Sequence, residues 1–345
     1  MVHILDDLQT IRSIDASRTM DQVKAFVGNL KDAVDYPSPW KEAPKQICLS
    51  GIGGSAMAAD ILADMLFSES SVPIHVNRAV ELPRWMGKGD MSIVTSYSGN
   101  TQEALDVLVS GRKAGCGVCC ITSGGKMLEI CEKDGLPHIK VPGGMQPRAA
   151  LGYLLGAASA VLESMGAGRP ATHFREAAAN SVSSLSRMAP ELPTEKNLAK
   201  KLALELEQKT PIIYAPRNIR SVAVRWQNQI NENAKMVAFA GEVPEMNHNQ
   251  MVGWLQGEKC NACRPVFLLP SLMNPTVEKM AMVTIQMFTE RGMDPLVVPL
   301  HGNTPAENLL SGVILGDHIS YYLAILKGVD PGPVPVIQEF KGRIA

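Results

Sequence analysis

The residues best suited to chemistry in this chain are Ser96-Tyr97-Ser98-Gly99-Asn100-Thr101. They follow an apolar run, Ile93-Val94, and open a helix-like run over residues 101–109. Three hydroxyls at a strand-to-helix turn, with a glycine that lets a ligand approach the backbone, suit a phosphate. The helix start adds N–H groups without intrahelical acceptors and the positive end of the dipole. Upstream, Ser50-Gly51-Ile52-Gly53-Gly54-Ser55 joins the apolar residues 47–49 to an Ala/Met/Leu-rich run over 56–66. Gly53 and Gly54 in that turn again admit a close approach. Two such turns in one half of a chain point to a phosphorylated small molecule. Taken singly, Ser55 and Thr101 could be no more than N-caps.

Proton-transfer candidates lie further on. A helix over 217–236 would put Ile219, Val222, Ala223, Trp226, Ile230 and Ala234 on one face, and Ser221, Arg225, Asn228 and Glu232 opposite. A solvated face is the plain reading of that polar side. Yet Gln229-Ile230-Asn231-Glu232-Asn233 is rich in amides and poor in lysine, more like the wall of a cleft. A single carboxylate among amides suits a general base held in place. His248, between Asn247 and Asn249 in a segment headed by Pro244, is unlike a core residue; its role is structural or catalytic. Arg148 follows Gly143-Gly144-Met145-Gln146-Pro147 and so starts a helix, where the dipole does not favour a cation; it is an anion partner or a surface charge. His301-Gly302-Asn303-Thr304 and a last helix over 318–326, followed by Lys327, complete the polar inventory. No cluster has metal-ligand spacing, and there is no Walker loop.

The elements that must position these groups alternate. Residues 1–44 read as a helical lead-in (Leu5, Leu8, Ile11, then Met20, Val23, Phe26, Leu30) closed by Pro37-Ser38-Pro39. Strand-like runs follow at 46–49, 72–76, 92–95, 117–122 and 138–141, with helical patterns at 55–67, 101–113 and 126–134 and a long buried one at 148–165. After a polar stretch near 190–200, strands at 211–215, 265–269 and 296–299 alternate with helices at 217–236 and 275–291. Residues 266–300 repeat the order of 92–122: strand, polar turn, helix, glycine, strand. The expected fold class is α/β, with two similar subdomains (45–190 and 191–345), each a parallel sheet flanked by helices. The phosphate turn of the second is degraded. Ligands of open parallel sheets bind at the carboxyl ends of the strands, so the site is expected near the subdomain junction.

Composition narrows the function. The 345 residues are 46% hydrophobic, and 33 Lys and Arg against 34 Asp and Glu give a net charge of −1. That balance gives no general drive toward nucleic acid or anionic membrane. Apolar stretches break before membrane-spanning length, and Asp6, Asp7 and Arg12 suit neither a signal nor a transit peptide, so a cytoplasmic protein is expected. Seven cysteines, an odd count with no export signal, argue against a disulfide framework. The pairs Cys116/Cys119 and Cys260/Cys263 could form a four-thiolate zinc site, but they lie far apart in sequence and Cys119-Cys120 sits in a strand-like run. The favoured role is that of small buried hydrophobes.

The segments SGIGGSAMAAD, SYSGNTQEAL, PGGMQPRAALGYLLG, NQINENAKM, PEMNHNQMVGW and HISYYLAILKGVDPGPVPVIQEFK span residues 50–341. Together they resemble the bifunctional phosphoglucose/phosphomannose isomerases of the sugar isomerase (SIS) domain superfamily. The resemblance implies tandem SIS subdomains, a homodimer, and aldose–ketose isomerisation through a cis-enediol(ate) with no metal or other cofactor. It implies that Ser96, Ser98 and Thr101, aided by Ser55, bind the sugar phosphate, with Gly53 and Gly54 allowing close backbone approach. Glu232 would move a proton between C1 and C2, and Arg148 would stabilise the enediolate oxygens. His248, given by the neighbouring subunit, would open the sugar ring, with Lys327 at the ring-oxygen end. Ser320 matches a small hydroxyl position linked to accepting the mannose epimer.

Such chemistry requires these types. A base must reach both carbons, a fixed guanidinium stabilises gathered negative charge, and a mismatched polar contact at C2 would discriminate between epimers. Gln250 departs from the family's pattern, where an acidic residue follows the NHN segment; a helix cap or dimer contact is expected to differ there. The substrates implied are fructose, glucose and mannose 6-phosphates. Competing readings are a non-catalytic SIS sensor, which needs no Glu232, His248 and Lys327 together, and a glucosamine-6-phosphate synthase-like isomerase, which fits the tail poorly. A nicotinamide dehydrogenase, suggested by Gly51-x-Gly53-x-x-Ala56, lacks the acidic residue after the next strand, where Val76-Asn77-Arg78 stands.

Overall fold

Short β-branched and apolar runs that end in Gly, Ser or Pro become strands, and the longer mixed runs between them become helices. The structure, a computed structural model, describes residues 3–258 and 260–344. In order the chain forms α1 (Leu8–Ile14), α2 (Thr19–Ala33), β1 (Ile47–Ser50), α3 (Gly54–Leu66), β2 (Ile74–Asn77), β3 (Met91–Thr95), α4 (Gln102–Lys113), β4 (Gly117–Thr122), α5 (Gly125–Asp134), β5 (His138–Lys140), α6 (Leu151–Ser164) and α7 (Pro170–Ser186). There follow α8 (Leu198–Leu206), β6 (Thr210–Pro216), α9 (Arg220–Ala234), β7 (Phe239–Val243), α10 (Gln250–Gln256), β8 (Cys263–Pro270), α11 (Pro275–Glu290), β9 (Leu296–Leu300), α12 (Pro305–Leu326) and α13 (Pro335–Ile344).

The chain divides into two units. One comprises Ala25–Ser181 and Pro305–Glu307 and holds a five-stranded sheet ordered β2-β1-β3-β4-β5. The other comprises Met1–Lys24, Val182–Thr304 and Asn308–Ala345, with a four-stranded sheet ordered β7-β6-β8-β9. All pairings in both are parallel. Counted from its own first strand, each sheet begins 2-1-3-4, so the repeat seen in the sequence is a repeat of topology. The central strands β1 and β3 are buried along their whole length, as a parallel sheet covered on both faces requires. Val94, Leu108, Cys120, Met127 and Cys131 pack together in the first unit, and Tyr214, Met246, Phe267 and Phe288 in the second.

Residues 1–44 do not act as one lead-in. The first 24 residues belong with the four-stranded sheet. Asp6 accepts from the Thr194 N–H and hydroxyl, both at 2.8 Å, and meets the fully buried Lys200 ammonium at 3.2 Å. The Tyr321 hydroxyl donates to Asp15 (3.1 Å), and Ser17 donates to Asp330 (2.7 Å). The later turns of α2 lie under α6 instead, where Gly152 makes room: a Cβ there would stand 2.9 Å from Asn29 Cβ.

Four expectations change. The helix expected from residue 148 starts at Leu151, and residues 147–150 form a turn. The last helix is α12, which starts well before 318. Its best 18-residue window has a mean hydropathy of 1.5, long and apolar enough to cross a bilayer, against the expectation that no stretch would be; 89% of that window is buried, which marks a core helix. Finally, Cys260 and Cys263 are joined as a disulfide, with Cys260 exposed, so this pair are not buried hydrophobes. The turn between Cys260 and the first residue of β8, Cys263, puts the two Cα atoms 5.4 Å apart, within bridging range. Cys48, Cys119, Cys120 and Cys131 are buried as expected, and burial pushes the Cys119 thiol up to about 12, keeping it protonated and inert.

Candidate active site

Strand order reverses direction between β1 and β3, and such a switch point opens a crevice at the carboxyl ends of the two strands. Both serine turns leave the sheet there. Neither hydroxyl at issue acts as an N-cap. Gly53 occupies the N-cap position of α3, at φ +58° and ψ −128°, a conformation that favours glycine. Ser55, inside the first turn of α3 and buried, accepts from the Tyr97 N–H at 3.1 Å and so ties one turn to the other. Thr101 caps α4 by position, yet its side chain makes no capping hydrogen bond; Ser96 Oγ donates to it at 3.2 Å. Ser98 is exposed, its Oγ accepting from the Asn100 N–H at 3.3 Å. The first N–H groups of α4 have no acceptor within the helix, so the turn offers donors of both kinds.

The second turn is clamped by the first turn of α5. Met127 N–H donates to the Gly99 carbonyl (2.9 Å), and Lys126 N–H to Asn100 Oδ1 (3.0 Å). Gly99 has φ +68°, and a Cβ there would run into the Gly124 carbonyl oxygen. Gly99→Ala is therefore expected to cost about 1–2 kcal/mol from the backbone alone, and more as Gly124 is displaced. Chemical denaturation checks the stability loss.

Gly54 approaches not a ligand but the chain itself. A Cβ there would meet Pro147 C and O at 3.0 Å and Arg148 Cα at 3.1 Å. Arg148 is 6% exposed, which excludes the surface-charge reading and sets it in the turn that abuts the first serine turn. Gly53, Gly54, Ser55, Ser96, Ser98, Thr101 and Arg148 thus share one region of the first unit.

The other candidates belong to the second unit. Along α9 and the turn before it, the six residues expected on the apolar face are all buried. The opposite face is covered over its first half: Ser221 is fully buried, and Arg225, 3% exposed, grips Asp317 of α12 through Nε–Oδ1 (2.9 Å) and Nη2–Oδ2 (2.6 Å), while Asn228 is half-buried. Trp226 Nε1 donates to the Gly312 carbonyl at 2.8 Å. A Cβ at Gly316 would strike the Trp226 indole, so the Gly312/Gly316 spacing lets α12 lie close against α9.

Glu232, half-buried, lies on the last turn of this braced helix. Its neighbour Asn233, 1% exposed, donates to Ser320 Oγ at 2.9 Å, and Ser320 donates to the Asp317 carbonyl at 2.8 Å. Ser320 is fully buried with both bonds made inside the unit. Lys327 is exposed just past the end of α12. His318 is a core histidine: its Nδ1 donates to the Ile314 carbonyl (2.8 Å), and burial pushes its pKa down.

His248 stands apart from these, exposed in a 3-10 turn over Glu245–His248 that follows a cis Val243-Pro244 bond. Asn249 caps α10 by accepting from the Gln250 N–H (2.6 Å), and Asn247 donates to Thr284. Gln250 is not the cap. Its Oε1 accepts from the Tyr214 hydroxyl at 2.7 Å, which in turn accepts from Trp254 Nε1 at 2.7 Å. The bracing residues Asp317, Asn233 and Gly316 carry one sequence signal, the G-x-x-x-G step in a long apolar helix.

The profile of the bacterial phospho-glucose isomerase C-terminal SIS domain matches residues 195–344. A bifunctional phosphoglucose/phosphomannose isomerase of Caldicellulosiruptor bescii is 35% identical over 306 residues, covering 87% of this chain and 89% of the relative. One of Thermoplasma acidophilum is 31% identical, covering 92% and 95%. Among solved structures, a glucose-6-phosphate isomerase-like protein of Thermus thermophilus matches with a TM-score of 0.65 over 98% of each chain, at 21% identity, a likeness of fold. Extended identity over both sheets, beyond the reach of a shared fold alone, places the chain in the bifunctional phosphoglucose/phosphomannose isomerase family, a family of isomerases.

Proposed function

We propose that this enzyme interconverts fructose 6-phosphate with glucose 6-phosphate and with mannose 6-phosphate, through a cis-enediol(ate) and without a metal ion. The observation that carries the reading is the pair of serine turns at the β1/β3 switch point, whose hydroxyls are not spent on helix caps. Ser96, Ser98 and Thr101, with the first N–H groups of α4, hold the phosphate. Ser55 acts by fixing the Tyr97 backbone. Arg148, buried and held in its turn, stabilises the negative charge of the enediolate without reorganising. Glu232 carries the proton between C1 and C2. Lys327 and His248 open the ring, His248 being supplied by a second copy of the chain in a homodimer.

Ser320 acts through Asn233 rather than by touching sugar. Its hydroxyl is bonded to Asn233, next to Glu232, so it bears on epimer acceptance by fixing that neighbour.

The test is fructose 6-phosphate formation from glucose 6-phosphate and, separately, from mannose 6-phosphate, with excess EDTA. Turnover of both is expected. Turnover of glucose 6-phosphate alone would remove the epimer argument. No turnover of either would leave a sugar-phosphate-binding module in place of an enzyme.

A further inference from the structure

Tyr97, the residue between the two serines of the second turn, is 4% exposed and makes hydrogen bonds at three points. Its N–H donates to Ser55 Oγ at 3.1 Å. Its carbonyl accepts from the Ser123 N–H (3.0 Å) and from Ser123 Oγ (2.6 Å). Its hydroxyl donates to the Pro142 carbonyl (2.9 Å) and accepts from the Met145 N–H (3.1 Å). Those last two bonds fasten the Gly143-Gly144 segment at both ends, across a Gly144 with φ +87°. Three residues after Met145 comes Arg148, whose Cα lies against Gly54 of the first turn.

We propose that Tyr97 is a positioning residue that sets Arg148 by holding residues 142–145 against both serine turns. Its phenol does not meet the sugar. It links the part of the site that binds phosphate to the part that stabilises the enediolate. Burial pushes the Tyr97 pKa up, so the hydroxyl stays protonated and able both to donate and to accept. The assignment rests on the isomerase reading and adds a residue to it.

Tyr97→Phe tests this, because it removes the two hydroxyl bonds and leaves the backbone bonds to Ser55 and Ser123. A shift of Arg148 by a fraction of its reach is expected to lower kcat roughly tenfold. The KM and the inhibition constant of inorganic phosphate, which report the serine turns, are expected to stay within about twofold, since no phosphate contact is touched. Affinity for an aldonate phosphate, a stable mimic of the enediolate, is expected to fall by the same factor as kcat. In an Arg148→Ala background, Tyr97→Phe is expected to have no further effect on kcat, because the two act as one unit.

A purely structural tyrosine would lower the melting temperature while leaving analogue affinity unchanged and the two kcat effects multiplicative; that outcome overturns the proposal. If Tyr97→Phe does not fold, Ser123→Ala, which removes one bond onto the Tyr97 carbonyl, is put through the same cycle with the same selective loss expected. Wild-type turnover measured alongside separates the two levels. An inactive wild type removes the isomerase reading, whereas an active wild type matched by Tyr97→Phe removes only the role of Tyr97.

Discussion

Glu232→Gln is expected to abolish measurable isomerisation of both glucose 6-phosphate and mannose 6-phosphate, with kcat falling by about 10²- to 10⁴-fold. The amide keeps the shape and hydrogen-bonding reach of the carboxylate but cannot take a proton, so the loss isolates proton transfer from binding. Asn233 holds Ser320, and the Lys235 ammonium donates to the Glu232 backbone carbonyl at 2.6 Å, so backbone and neighbouring groups that the substitution leaves in place help to fix the last turn of α9. Inhibition by inorganic phosphate should be unchanged. Exchange of the C2 proton with deuterated solvent, followed by NMR, should disappear with turnover. Near wild-type exchange in Glu232→Gln would assign the base to another residue.

Asp317→Ala is expected to have the largest effect on stability, about 3–5 kcal/mol, because it leaves the buried Arg225 guanidinium without its carboxylate. The comparison with Arg18–Asp21 shows why. That pair has the same shortest distance, 2.6 Å, but its side chains are 82% and 58% exposed, and such pairs contribute about 0–1 kcal/mol. Arg225 and Asp317 side chains are each 4% exposed, so water cannot replace the lost partner. Replacing both residues by apolar ones of similar volume should cost far less than Asp317→Ala, since no buried charge then remains. Urea denaturation of the single and double variants measures the difference. Equal losses in the two would show that packing, not charge, holds α9 to α12.

What the sequence carried was local pattern. Hydroxyls and glycines at strand ends located both serine turns at the β1/β3 switch point, and the 3.6-residue period on 217–236 located the core face of α9. The same pattern misjudged the other face, because Arg225 and Ser221 read as solvated until α12 covers them, and that partner lies far along the chain. Strand β7 escaped for a related reason. Phe239-Ala-Gly-Glu-Val has two large apolar residues and an edge position with Phe239 53% exposed, so its strand character comes from pairing with β6 rather than from its own composition. The depth of Ser320, which the family resemblance links to the substrate, was not legible, because residue type says nothing of burial. The disulfide at Cys260–Cys263 was set aside on a count of cysteines, which carries no information about which two stand in one turn.

The attachment of the first 24 residues to the four-stranded unit has a bearing on the order in which the protein can be completed on the ribosome. The other unit draws on one stretch, Ala25–Ser181, with three residues added later. Its serine turns can close around their glycines once that stretch has emerged. Asp15, by contrast, must wait for Tyr321, 306 positions later, an interval of roughly 15–60 s at ordinary elongation rates. Late in that interval α9 has been made but α12 has not, so Trp226 has no glycine seam to fill. The nascent chain therefore closes its two serine turns well before it acquires the frame that holds Glu232.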